Sequence, residues 1–515
     1  MINKTLKNFR SINTVYQATI LGLITILLRL PFTSKILYHW DSVNFAFALS
    51  EFNLAKEQPH PPGYILYVYL SRILNSAIRD PNASMIGISI LASGLVVVFI
   101  FVLAKKMFGY PVSLISALFL ITSPLFWFYG EIALPHSLDG FLVVLCAYLL
   151  YLSISDSKYG TLSVICLAVT GGFRPQTLVF LLPLAAFSLF RWKIQKIGKW
   201  FIFGFLICLV WFIPLVSFNG GLQNYLDILS QFSDRFQSTT SVIEGAGWTG
   251  FFRNGTKLSI YTLYALGFSS IGFFGIIKSY LRKKNIIEQN SLFLLIWILP
   301  AIIYYLFIHM GQQGLVFVFL PALIIVTAVG VTELFANYSN ILIPAIVLIS
   351  LINASVFLVF PEFPLGDTDT QRILTNQTIR NNDRYFSNRI EAIQALDHKE
   401  SIAILAQNWR HIQYYLPDYK IIALESDQKW ETPTNGLRLK LGDGFLSLDD
   451  ASKLSNQRSN LELILFDIQS QSILNINLNK DDFSKTNEGD LEIIRFLVPV
   501  SLQQKGNFIY VQMAP

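Results

Sequence analysis

Apolar runs of membrane-spanning length alternate with short basic or polar stretches through the first 360 residues, and then the alternation stops. A helix crosses the hydrocarbon core with about 20 mostly apolar residues, and with somewhat fewer when it packs among other helices. On that measure eleven spans are predicted: 14–31, 84–104, 112–128, 136–153, 160–173, 175–190, 200–217, 257–278, 291–308, 314–331 and 340–360. The fifth and sixth are short. The turn they share, Gly171-Gly172-Phe173-Arg174-Pro175, is expected below the membrane surface, where irregular backbone survives only against protein or a wet cavity.

The segment 32–83 has its own pattern. Over 42–55, Val43, Ala46, Phe47, Leu49 and Phe52 interleave with Ser50, Glu51 and Asn53, which predicts an amphipathic helix with Asp41 or Ser42 as its cap. Pro61 and Pro62 end any helix, Gly63 frees the turn, and Tyr64 to Asn75 form a second helix along the interface. Beyond Phe360 the chain turns polar. Helical patterns at 383–398 and Trp409–Leu416 alternate with strand patterns at Ser401–Ala406, Lys420–Leu424, Leu461–Phe466, Leu491–Phe496 and Phe508–Gln512. That alternation predicts a compact α/β domain over 361–515, following a membrane module over 1–360. The domain has no Gly-rich phosphate loop, metal cluster or nucleophile elbow, so recognition or structural cover is its expected role.

Composition agrees with a polytopic α-helical membrane protein. The chain is 53% hydrophobic and only 14% charged, against about 25% charged in ordinary soluble domains. The net charge of +6 does not imply a nucleic-acid partner, because the basic residues lie in clusters between apolar runs and not along one face. Cys146, Cys166 and Cys208 fall inside apolar runs with neither metal nor disulfide spacing, and read as small packing residues.

The same basic clusters orient the stack. Lys4/Lys7/Arg10, Lys105/Lys106, Lys158, Arg191 to Lys199 and Lys278 to Lys284 occupy alternate loops, which makes their side cytoplasmic. The amino end, read as an uncleaved first helix, is then cytoplasmic, and the domain after residue 361 lies outside the inner (plasma) membrane. Asp41, His60, Glu131, His136, Arg174 and His309 all collect on the non-cytoplasmic face. Polar chemistry on one face indicates an enzyme working at that surface of the bilayer.

Asp41 follows the first span in His39-Trp40-Asp41-Ser42, and an acid so close to lipid is costly enough to mark a function. It is either a general base for an acceptor hydroxyl or a helix cap. Glu131, in Phe128-Tyr129-Gly130-Glu131, either positions an acceptor, assists a metal, or is an exposed loop residue. Asp139, at the outer end of a span, needs a cavity or a partner. Arg174 either grips a lipid-linked phosphate through paired hydrogen bonds or reaches out to headgroups. His136, His309 with Gln312, and His60 in the Pro-rich bend complete the candidate substrate contacts, each weighed against an incidental loop position.

The combination of Trp40-Asp41-Ser42, His60-Pro61-Pro62-Gly63, the Glu131 loop and Gly-Gly-Phe-Arg-Pro resembles the GT-C superfamily of membrane glycosyltransferases, and within it the protein O-mannosyltransferase-like group, over about residues 10–330. The resemblance implies a sugar donor linked to polyprenyl phosphate, used on the extracytoplasmic face with inversion, and an acceptor hydroxyl on a protein, lipid or glycan. Ser42 stands where many relatives have a second acid, which leaves a divalent metal open and makes a single base the simpler reading. No cofactor is otherwise implied. The competing class is a lipid or sugar transporter or flippase. Such proteins place polar residues near the midplane and often carry internal repeats, neither of which is visible here.

Overall fold

The computed structural model describes residues 12–282, 289–364, 372–397, 399–426, 437–442, 444–457 and 461–514. Two compact units divide the chain, Met1–Arg380 and Asn381–Pro515. The first extends past the end of the last apolar helix because Gln313 donates to the Arg372 carbonyl (2.9 Å) and Tyr264 to that of Leu374 (2.5 Å).

The first unit is helical. Its helices are α1 (Thr14–Arg29), α2 (Trp40–Ser50), α3 (Ile65–Ile78), α4 (Pro81–Phe108), α5 (Tyr110–Thr122), α6 (Pro124–Gly130), α7 (His136–Ser153), α8 (Lys158–Phe173), α9 (Pro175–Leu189), α10 (Ile194–Phe218), α11 (Leu222–Thr240), α12 (Gly247–Leu266), α13 (Gly272–Leu281), α14 (Gln289–Phe307), α15 (Leu320–Leu334) and α16 (Ser339–Leu358). By length and apolar character seven segments among the described residues are able to cross a membrane, or eight with α5 and α6 taken together. These two are bent by 60° at Ser123, where Pro124 opens the second helix and the serine hydroxyl donates to the Ala265 carbonyl at 2.6 Å. The remaining predicted spans fall on shorter helices, α8, α9 and α15; the stretch before α15 is 3-10 helix over Gln313–Val318.

The longest, α4, starts on Asp80, whose carboxylate accepts from Ala83 N, and its last turn carries Lys105 and Lys106, where cations suit the helix dipole. The crossing of α13 and α15 is closer still. A Cβ built on Gly275 would lie 1.8 Å from the Gly330 carbonyl oxygen, so only glycine admits this approach of two backbones, as is common between helices in lipid.

The first loop departs from its predicted course. The amphipathic helix is α2, shifted to Trp40–Ser50; it ends early because Asn53 accepts from Lys56 N and bridges to Gln58, and Glu57 takes a left-handed φ of 54°. The side-chain cap is not Asp41 but His39, whose Nδ1 accepts from Asp41 N at 3.0 Å, while Ser42 Oγ accepts from His39 N. After the Pro-rich bend, α3 runs to Ile78 and is tied back to α2 by Arg72, which donates to the Ala48 carbonyl at 2.6 Å. The bend itself is held by α11. Tyr225 donates to the Pro62 carbonyl (3.1 Å), and Arg235 pairs with Glu57 (2.5 Å).

The second unit is an α/β domain that begins at Asn381, not at the expected 361. A six-stranded mixed sheet has the order Leu437–Leu439, Lys420–Ser426, Ile402–Ala406, Glu462–Leu465, Leu491–Phe496, Phe483–Glu488. The three inner strands Lys420–Ser426, Ile402–Ala406 and Glu462–Leu465 are parallel, with Ile404 beside Ile421 and Ile464; the outer pairings are antiparallel. Ile402–Ala406 is buried along its whole length, as a parallel strand covered on both faces should be. A separate three-stranded sheet joins Val500–Lys505, Phe508–Met513 and Leu474–Asn477. Of the predicted helices, the first begins at Asn376 and ends at Gln394, and the second is Trp409–Tyr415.

Candidate active site

Asp41 lies in the first turn of α2, and its carboxylate is ringed by groups from three other segments. His60 Nδ1, from the Pro-rich bend, is 3.5 Å from Oδ1, and His39 Nδ1 is 3.5 Å from Oδ2. Gln312, from the loop before α15, donates its amide to Oδ2. The other end of that amide, Oε1, meets His136 Nε2 at 2.8 Å, at the start of α7. Four candidates distant in sequence, Asp41, His60, His136 and Gln312, thus come together. Burial opposes the charge on Asp41, but His60, His39 and the Gln312 hydrogen bond outweigh it and hold the carboxyl below its ordinary value. Burial in turn lowers His39, and the Asp41 N–H donates to its Nδ1.

The histidine of the bend is fixed by aromatic rings. His60 packs against Phe45 and Tyr64 with centroids 5.3 and 4.9 Å away, and stacks at 6.4 Å on Phe232 of α11. This box aims Nδ1 at Asp41 and explains the purpose of the bend: it returns the chain over the start of α2.

Arg174 and Asp139 form a second group. Arg174 breaks the helix between α8 and α9 with an extended backbone, and its Nη1 lies 2.7 Å from Asp139 Oδ2. Thr177 donates to Asp139 Oδ1 at 2.6 Å. Arg174 and Asp139 are almost fully buried, so the reading of Arg174 as reaching out to headgroups is corrected: its guanidinium points into protein, paired with the acid whose burial demanded a partner. Tyr64, whose ring packs on His60 at 4.9 Å, is within the electrostatic reach of Arg174, Asp41 and Asp139, and Tyr305 is within that of Arg174 and Asp139.

Glu131 and His309 stand apart. Glu131 is fully buried, not exposed in a loop, and faces Arg29 of α1 and Trp127 of α6. Burial pushes its carboxyl up to about 9 against the pull of Arg29 and Trp127. His309 sits in the field of Arg253 and Lys257, and burial first, then those cations, push it down to about 3. Sequence reasoning missed Arg29, Tyr64, Thr177 and Tyr305. Only the first carried a signal, an arginine ending an apolar run. Among the described residues no group of three or more His, Cys, Asp or Glu side chains is arranged to hold a metal ion.

The arrangement suits proton acceptance beside an anion. A partly buried, ionised carboxylate with one oxygen engaged by an amide can take a proton on the other, and Tyr64 is within electrostatic reach of both it and the buried Arg174 guanidinium.

Residues 59–218 match the family described as dolichyl-phosphate-mannose-protein mannosyltransferase. The chain is similar in structure to ArnT from Cupriavidus metallidurans bound to undecaprenyl phosphate, at a TM-score of 0.60 and 10% identity over 94% of this chain and 98% of that one. The apo state of that protein aligns with a TM-score of 0.56 at 10% identity, over the same 94% and 98%. The Archaeoglobus fulgidus oligosaccharyltransferase in its apo form aligns with a TM-score of 0.50 and 12% identity, over 88% of this chain and 70% of that one. No curated protein sequence matches. The chain shares the fold of ArnT and of the archaeal oligosaccharyltransferase, and the family match covers the part of it from the Pro-rich bend to the end of α10.

Proposed function

We propose that this GT-C-fold membrane protein transfers a sugar from a polyprenyl-phosphate donor to an acceptor hydroxyl at the extracytoplasmic face, with Asp41 as the general base. The observation that carries the reading is the Asp41 carboxylate itself, partly buried, held ionised by His60, His39 and Gln312, and facing the bend where the family match begins. In the reaction the acceptor oxygen attacks the anomeric carbon as the bond to the phosphate oxygen breaks. The acceptor proton passes to Asp41, and inversion follows from the single displacement. Charge develops on the departing phosphate, and a cation placed for it contributes most where water is excluded. Arg174 is the candidate, with Asp139 and Thr177 fixing its orientation. The undecaprenyl phosphate bound to ArnT supports a lipid-phosphate donor here. A mannosyl group fits the family description over 59–218, and the acceptor is a hydroxyl of a protein, lipid or glycan.

The test is reconstitution of the purified protein in nanodiscs with polyprenyl-phosphate sugars, following release of the polyprenyl phosphate. Cells lacking the protein should accumulate a sugar–phosphate–polyprenol in lipid extracts. Unchanged lipid profiles, together with no turnover of any such donor, would remove the assignment.

A further inference from the structure

Gln312 joins Asp41 to His136 by its two ends, and those ends are chemically opposite. The amide nitrogen donates to Asp41 Oδ2 and the amide oxygen meets His136 Nε2 at 2.8 Å. A carboxamide turned through a half circle would place its oxygen against the carboxylate and its NH2 against the imidazole. What fixes the useful orientation is a proton on His136 Nε2, which can be given only to the amide oxygen. The ring has little freedom to do otherwise. It is nearly buried, packs edge-on against Tyr129 at 5.0 Å, and a Cβ on Gly314 would lie 2.5 Å from its Cγ and 2.8 Å from Tyr129 Cε1.

We propose that His136 and Gln312 are positioning residues that act through Asp41: they hold Oδ2 in a fixed hydrogen bond and leave Oδ1, on the His60 side, as the proton-accepting atom. This deepens the reading of Asp41 as general base and rests on it. It differs from direct substrate contact by His136 or Gln312, because the hydrogen-bonding ends joining them are spent on each other and on the carboxylate. A hydrogen bond to the ionised form also favours that form, so losing the relay raises the pH at which Asp41 becomes protonated. The other titratable groups facing Asp41 are His39 on its own helix, His60 and Tyr64 from the bend, and Tyr129 before α7; Arg174 acts on His136 from the α8–α9 junction. All of these stay in place in the variants below.

A double-mutant cycle in nanodiscs tests the relay. His136→Phe keeps the packing on Tyr129 and removes the donor. It should lower kcat about tenfold, the scale of one lost hydrogen bond, with both KM values within about twofold. The acidic limb of the pH profile should move to higher pH. In the background of Gln312→Leu, His136→Phe should add little, since the histidine's hydrogen-bonded path to Asp41 runs through Gln312. His136→Gln, which keeps a donor, should restore most of the activity. Multiplicative losses in the double variant, a raised KM for donor or acceptor, or an unmoved acidic limb would overturn the proposal. Should His136→Phe not give a monodisperse protein, the profile of Gln312→Leu alone decides: its acidic limb must rise. The underlying base assignment fails separately, by an active Asp41→Asn variant; an inactive Asp41→Asn with multiplicative His136 and Gln312 losses removes the relay alone.

Discussion

Arg174 and Asp139 meet at 2.7 Å with both side chains withdrawn from solvent, and Thr177 occupies the second carboxylate oxygen. Each member therefore depends on the other for its charge. Removing the acid by Asp139→Ala leaves a buried guanidinium without its counter-charge, a loss on the order of 3–5 kcal/mol. Thermal unfolding in detergent should show it as a large drop in Tm. Arg174→Lys keeps the charge but not the fork, so Asp139 and a donor phosphate can no longer both be held in fixed geometry. The expected signature is a severalfold higher donor KM in a folded protein; unchanged donor kinetics would take Arg174 out of the phosphate site.

Glu131 gives a prediction of opposite sense. Burial holds its carboxyl protonated up to about 9, so near neutral pH it already resembles a glutamine. Glu131→Gln should leave transfer within about threefold of the parent, whereas an ionised catalytic role predicts a loss of a hundredfold or more. The linkage has a fixed sign. A folded value raised from 4.5 to about 9 stabilises fully below 4.5, and that stability is lost as pH rises toward about 9. Melting curves taken across that window should slope downward in the parent, and the slope should flatten in Glu131→Gln.

How much of this was legible without coordinates divides by the kind of physics involved. Apolar runs report burial directly, so helices such as α4 and α7 and the inner strands of the second unit follow from the pattern. Phe483–Glu488 escaped notice because Phe-Ser-Lys-Thr-Asn-Glu is a polar edge strand with no buried face to imprint a period. The bend at Ser123 and the 3-10 stretch at Gln313–Val318 sit inside apolar runs, where hydropathy is blind to backbone geometry. In the site, the acids and the arginine announced themselves by the cost of charge near lipid. Their partners did not. Nothing local in the sequence says that Asp139 faces Arg174 and Thr177 while Glu131 faces Arg29, or that His39 and not Asp41 caps α2.

Orientation is open to direct chemical test. With Cys146, Cys166 and Cys208 replaced, single cysteines at Lys196 and Lys453, both exposed, report the two faces. In intact cells an impermeant thiol reagent should label position 453 and spare 196 until the membrane is opened. The reverse pattern would place the Asp41 cluster on the cytoplasmic side and end the extracytoplasmic reading.

The sharpest test falls on Asp41. As a helix cap it would tolerate Asp41→Asn, because asparagine caps almost as well as aspartate. The cap, however, is supplied by His39, and the Asp41 side chain points into the cluster of His60, Gln312 and His136. Asparagine preserves size and can still accept from Gln312, so the fold and donor binding should persist. It cannot take a proton, and transfer should fall roughly a hundredfold to ten-thousandfold. The pH profile adds a second constraint. A base must be ionised, and since His60, His39 and Gln312 hold Asp41 below its ordinary 3.8, the parent should keep its activity down to that pH and lose it only as pH falls through the depressed value. Near-normal turnover by Asp41→Asn, measured with purified lipid-linked sugar and acceptor, would mean that the carboxylate serves the local fold and that the proton goes elsewhere.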